Sequence, residues 1–231
     1  MTKEQLNWTY KDTLILLIVP IELLLGRIFT SSTIPHKDIW GAIFVTVVFT
    51  SGFLVATILK REILKHDFRL YKERFLKNFL ISIAGAIIFG TIVLGLRNFL
   101  PVSEQATIEN SIAAAVSVNI GQNSLVLAGG ITAVLAPFTE EIIFRHVLLY
   151  KFKDYRYLRV IMLVISSLLF GLAHYENFVD TPILILPLIL GGFILGLLYL
   201  WRKNIWINIF SHLIHNFIFG FLPSIVVLFV H

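Results

Sequence analysis

The chain has 231 residues, of which 57% are hydrophobic and only 14% charged, against about a quarter charged in an ordinary soluble domain. That balance excludes a water-soluble globular fold, and the absence of cysteine excludes disulfides, thiolate metal sites, thiol nucleophiles and S-acylation. The net charge of +5 is no nucleic-acid footprint, because its cations gather in alternate loops between apolar runs, as membrane topology demands.

Apolar runs at 13–29, 39–59, 76–96, 125–149, 160–173, 183–200 and 206–222 read as membrane spans. With the short tail that begins at Pro223 they predict an all-α, polytopic membrane bundle of seven or eight transmembrane helices. We expect a single membrane domain over 1–231, with accessory helices at about 12–97 and the chemistry-bearing helices at about 124–219. Lysine and arginine crowd 60–77, recur at 151–159 and return at Arg202 and Lys203. The positive-inside rule puts these loops and the N-terminus in the cytoplasm, and 97–124 and 175–182 outside, as in a multi-pass protein of the cell membrane. The first run has no small-x-small cleavage site, so it is expected to remain as a span.

In that first run Glu22 and Arg27 are five apart and do not stack; Arg27 is placed to snorkel, and Glu22 is expected to face protein. The second run is uncharged until Lys60 and reads as scaffold. Leu64, Phe68, Tyr71 and Phe75 then recur at helical spacing among basic residues, which predicts a helix lying in the cytoplasmic interface, held by its apolar stripe and by anionic headgroups. Gly85, Gly90 and Gly95 are spaced by five, a weak pattern for close helix packing. Ile108, Ile112, Val116 and Ile120 form a stripe that predicts a short external amphipathic helix. Pro137 withholds an amide from the carbonyl one turn earlier, that of Ala133, so a bend is expected just before Glu140.

Three polar clusters sit at membrane depth. Glu140, Glu141 and Arg145 interrupt an apolar run, where each ionised group costs at least about 2.5–3.5 kcal/mol and therefore implies a partner. Glu141 and Arg145 are one turn apart, acid first, the favoured order for an ion pair, which leaves Glu140 on another face. His174 ends the fifth run, four residues after Phe170, and His212 and Asn216 stack on one face of the seventh. His215 lies about 60° away from His212 and is assigned to packing. Counting inward at about 1.5 Å per residue, Glu140, His174, Asn216 and His212 reach depths of about 15, about 22, about 16 and about 10 Å, compatible with one shared cavity. A buried carboxylate is a competent base for water, a histidine relays the proton, and an amide donates to an oxyanion. Glu140, His174 and His212 would equally make a three-ligand zinc site with a fourth position for water, although the helical H-E-x-x-H pattern is absent.

Glu-Glu-x-x-x-Arg at 140–145, Phe-x-x-x-His at 170–174 and His-x-x-x-Asn at 212–216, in this order on successive helices, resemble the CPBP intramembrane proteases. That family includes the CAAX prenyl endopeptidases and bacterial proteins of the abortive-infection or bacteriocin-immunity type. The resemblance covers about 124–219. It implies an intramembrane endopeptidase in which Glu140 and His174 activate water, His212 and Asn216 stabilise the oxyanion, and Glu141, Arg145 and Phe170 support the site. The expected partners are a peptide or membrane-protein substrate and the lipid bilayer, with no nucleic acid; no cofactor is expected to be obligatory, and zinc is left open. The rival reading is a membrane protein that regulates or confers bacteriocin immunity by binding, without proteolysis.

Overall fold

The computed structural model describes residues 8–33, 35–101 and 123–227, and every regular element among them is a helix. Helices α1 (Tyr10–Leu16) and α2 (Ile18–Thr30) form one run broken at Leu17. Pro20 accounts for the break, since it has no amide to give the Leu16 carbonyl. There follow α3 (Lys37–Leu59), the short amphipathic α4 (Arg61–Glu73) and α5 (Phe75–Gly95). In the second half α6 (Asn123–Glu140) passes directly into a π-helix, Glu141–Leu149. Then come α7 (Arg156–Leu172), α8 (Ile185–Arg202) and α9 (Ile205–Asn216). A second π-helical turn, Phe217–Phe221, leads into α10 (Leu222–Val227).

This is a helical membrane protein, and among the described residues five helices are long and apolar enough to cross: Ile39–Leu59, Phe75–Phe99, Val126–Phe152, Pro182–Arg202 and Ile205–Val226. The first apolar run is two short helices. The run at 160–173 is α7, whose 17 residues reach about 25 Å, from the basic end to the loop that holds Glu176. The tail after Pro223 continues the last helix through the π turn instead of reversing into another span. The external helix expected around 108–120 lies outside the described residues.

Polar contacts fix which loops share an end of the bundle. Asp12, 1% exposed, receives Lys60 at 2.6 Å and Lys151 at 2.5 Å, and Thr9 donates to it through both its amide and its hydroxyl. Arg202 reaches Asn78 at the same basic end. On the other side Arg27 of α2 pairs with Glu176, in the loop after α7, at 3.1 Å. The grouping of basic loops at one end and acidic loop at the other is the one their charges suggested.

The stripe on α4 faces protein rather than lipid. Leu64 and Tyr71 are buried; the Phe68 ring packs at a tilt against Trp206 and that of Tyr71 against Phe210, both of α9. Asp67 accepts from the amide of Ile205 at 2.9 Å, and Asn204 donates to the Asp67 carbonyl while its own oxygen caps the Trp206 amide. A carboxylate at a helix N-terminus is favoured by the macrodipole and the unpaired amides there, so α4 is bolted to the start of α9. Phe75 belongs to α5 and is exposed. Beside it α5 lies close along α9: a Cβ at Gly85 would sit 2.4 Å from the Ser211 hydroxyl, and one at Gly90 would sit 3.0 Å from His215. Two of the three glycines thus serve close packing that their spacing alone did not promise.

Burial alone would raise the Asp12 carboxyl, but the bonds from Lys151, Lys60 and Thr9 outweigh it and hold the group well below the usual carboxylate range. With its folded value below the unfolded one of about 3.9, the clasp contributes fully above that pH and is lost only as pH falls through the folded value. Asp12→Asn in detergent should therefore destabilise the protein equally at about pH 5.5 and about pH 8, by about 3 kcal/mol, the low end for a broken buried pair because both ammonium groups reach water. Thermal unfolding at the two pH values measures this, and a loss at only one of them would contradict it.

Candidate active site

The site is assembled around backbone irregularities in α6 and α9. Pro137 stands inside α6 and cannot bond the Ala133 carbonyl. That carbonyl accepts instead from the Asn216 side-chain amide at 3.0 Å. The approach is close: a Cβ built on Gly220, in the π turn after Asn216, would lie 3.1 Å from that of Ala133. Asn216, expected to face the reacting centre, thus has one N–H committed to α6.

Immediately after Glu140 the backbone widens into the π-helix, its end marked by the Tyr150 amide bonding five residues back to Arg145. Such segments are rare and recur at functional sites. The Phe144 carbonyl within it accepts the Ser166 hydroxyl of α7 at 2.6 Å. Glu141 and Arg145 point inward, both 0% exposed, with Arg145 Nε 3.2 Å from Glu141 Oε2. Glu141 Oε1 accepts from His212 Nδ1 at 3.0 Å, and Oε2 accepts from the Asn208 amide at 3.1 Å. The guanidinium lies over the Phe170 ring at 4.4 Å, a favourable cation–π position.

Phe170 is the hub of the site. Its ring meets Phe144, His174 and His212 at 5.6, 5.2 and 5.7 Å, and its carbonyl accepts from His174 Nδ1 at 2.8 Å. A carbonyl only accepts, so this bond places the proton of His174 on Nδ1 and turns the Nε2 lone pair outward. His174 Nε2 lies 3.8 Å from Glu140 Oε1, and His212 Nε2 lies 3.8 Å from Glu140 Oε2. Both separations are too long for direct hydrogen bonds. Glu140 Oε2 is buried with no hydrogen-bond partner among the described residues. The side chains of Glu140 and His174 are 14% and 25% exposed, while Glu141, Arg145 and His212 are sealed behind them.

Of the residues singled out by sequence, Glu140, His174 and His212 converge, Glu141 and Arg145 stand behind them, and Phe170 ties both groups together. Asn216 is anchored to Ala133. His215 packs between Phe89 and Phe219. Glu22, expected only to face protein, lies against α3, where a Cβ at Gly52 would be 2.3 Å from its carboxyl oxygen, and it stands within electrostatic reach of Glu140. Asn208 was missed. Its signal was the run Asn-x-x-x-His-x-x-x-Asn at 208–216, which puts three polar groups on one stripe of α9.

Two ligands of one zinc ion held at about 2.0–2.1 Å stand about 3.3 Å apart. The separations of 3.8 Å around Glu140 are wider, and among the described residues no group of three His, Asp or Glu is spaced to hold a metal. As they stand the side chains do not fit zinc; an ion there would draw Glu140, His174 and His212 inward.

Residues 122–218 match the family model described as type II CAAX prenyl endopeptidase, Rce1-like. That segment contains all three motifs and agrees with the CPBP and CAAX protease resemblance, while α1–α5 lie outside it. No curated protein and no solved structure matches the chain.

Removing Glu141 would strand a fully buried guanidinium, whereas Glu140 faces His174 and His212 only at 3.8 Å, beyond hydrogen-bond reach. Glu141→Ala is expected to cost about 3–5 kcal/mol and sharply reduce folded yield, with Glu140→Ala near wild type. Size-exclusion profiles of the two detergent-solubilised variants make the comparison, and equal yields would contradict it.

Proposed function

We propose that this chain is an intramembrane endopeptidase that hydrolyses a peptide bond by water activated at Glu140 and His174. The observation that carries the reading is the convergence of two imidazole Nε2 atoms on one carboxylate, each ring held from behind through Nδ1. The family match supports peptidase activity in general; the residue roles and the substrate are our own assignment.

In this reading one water molecule lies between Glu140 and His174, at separations it can bridge. Glu140 takes a proton from it, and the hydroxide oxygen bonds to the substrate carbonyl carbon. The carbonyl oxygen becomes an oxyanion that accepts from His212 Nε2–H and from the second N–H of Asn216. His212 acts here as an imidazolium, because its Nδ1–H is already given to Glu141. The proton held by Glu140 then passes to the departing amine as the C–N bond breaks. Glu141, Arg145 and Phe170 keep the two rings in place. The basic end of the bundle, with the N-terminus, is assigned to the cytoplasm. A protein that only binds would have no use for an acid between two oriented histidines whose buried Oε2 has no hydrogen-bond partner among the described residues.

Purified protein in lipid nanodiscs, offered peptides with and without a prenylated CAAX terminus, should cleave one of the classes. Glu140→Ala should abolish cleavage, and Asn216→Ala should lower kcat about 100-fold, as loss of one oxyanion donor does. Comparison of peptides released by cells carrying wild type or Glu140→Ala identifies the natural substrate; wild-type activity in Glu140→Ala would sink the hydrolase reading.

A further inference from the structure

Glu141 has two claimants. Arg145 brings a buried fork of donors, and none of its three guanidinium nitrogens makes a hydrogen bond among the described residues. Guanidinium groups favour bidentate pairing with carboxylates, so nothing in the chemistry of the pair itself stops Glu141 from turning both oxygens towards Arg145. His212 needs one of those oxygens to hold its Nδ1 proton.

Asn208 decides the contest. It is completely buried, and its side-chain nitrogen donates to Glu141 Oε2 at 3.1 Å and to the Leu195 carbonyl of α8 at 2.7 Å. Both partners are pure acceptors, so the nitrogen must point at them, and the amide oxygen is left without a partner. Oε2 is pinned by this bond and shared side-on with Arg145 Nε at 3.2 Å. The rest of the cationic charge rests on the Phe170 face at 4.4 Å. Oε1 is thereby left to His212 at 3.0 Å.

We propose that Asn208 is a positioning residue that divides Glu141 between Arg145 and His212, keeping a proton on His212 Nδ1 and aiming Nε2 at Glu140. The kinetic consequence rests on the hydrolase reading; the proton placement does not. Without Asn208, Glu141 closes on Arg145, the fold is retained because the buried charges stay paired, and His212 loses its orienting partner.

The test uses Asn208→Leu, which keeps the γ-branched shape and removes the donor, with the smaller Asn208→Ser as a second variant should the first not fold. In nanodiscs, nitrogen NMR of 15N-histidine-labelled protein, with His212 assigned by difference from His212→Gln, should show Nδ1 fully protonated in wild type, whatever Nε2 carries, and partly deprotonated in the variant. Turnover should fall about 10–100-fold, the usual cost of losing a partner that orients a working histidine, with KM within about twofold. Unchanged Nδ1 protonation in a folded variant overturns the proposal, as does a rise in KM that accounts for the whole loss. An altered proton position in a protein whose Glu140→Ala form keeps full activity would uphold the proposal and sink the hydrolase reading instead.

Discussion

The fully buried pair of Glu141 and Arg145 constrains everything around it. Two charges sealed in a bilayer-embedded bundle need partners close at hand. His212 and Asn208 of α9 bond the two Glu141 oxygens, while the guanidinium makes no hydrogen bond among the described residues and has Glu141 and the Phe170 ring of α7 beside it instead. The bond from His212 to Glu141 also orients that ring towards Glu140, and Phe170, whose ring faces the guanidinium, orients His174 through its carbonyl, so the arrangement that accommodates the buried charge also shapes the candidate site.

Backbone defects are used as contacts. Pro137 leaves a carbonyl unpaired on α6, and Asn216 takes it; within the π-helix the Phe144 carbonyl accepts from Ser166. Within a membrane every such group must find a protein partner, because no water competes for it. Both irregularities therefore become fixed tethers between helices at the level of the site, and α6, α7 and α9 are registered against one another by hydrogen bonds rather than by apolar packing alone.

The first half of the chain lies outside the family match yet positions the site. Helix α4 caps the start of α9 through Asp67, α5 packs closely along the same helix, and α3 lies along α6 with Phe53 edge-on to Phe138. Asp12 gathers the ends of α3 and of the π-helix region through Lys60 and Lys151. These contacts hold α6 and α9 from the sides that α7 and α8 do not reach.

Much of this was legible in the residues alone. Charged and polar groups inside apolar runs are conspicuous, and helical spacing puts Glu141 over Arg145 and His212 under Asn216 whatever the fold. The covering of the α4 stripe was not legible, because an apolar face is satisfied equally by lipid and by protein, and only packing chose α9. Nor were the partners of Asn216 and Asn208: an amide in a sequence names no acceptor, and a helix may rotate until the nearest unpaired carbonyl or carboxylate takes it. Sequence by itself determined that the chain is helical, membrane-embedded and armed with three polar clusters in order, since hydropathy and helical period are local properties. The rotation of each helix about its axis, and hence which oxygen each nitrogen meets, was decided only by the tertiary structure, because it depends on contacts between residues far apart in the chain.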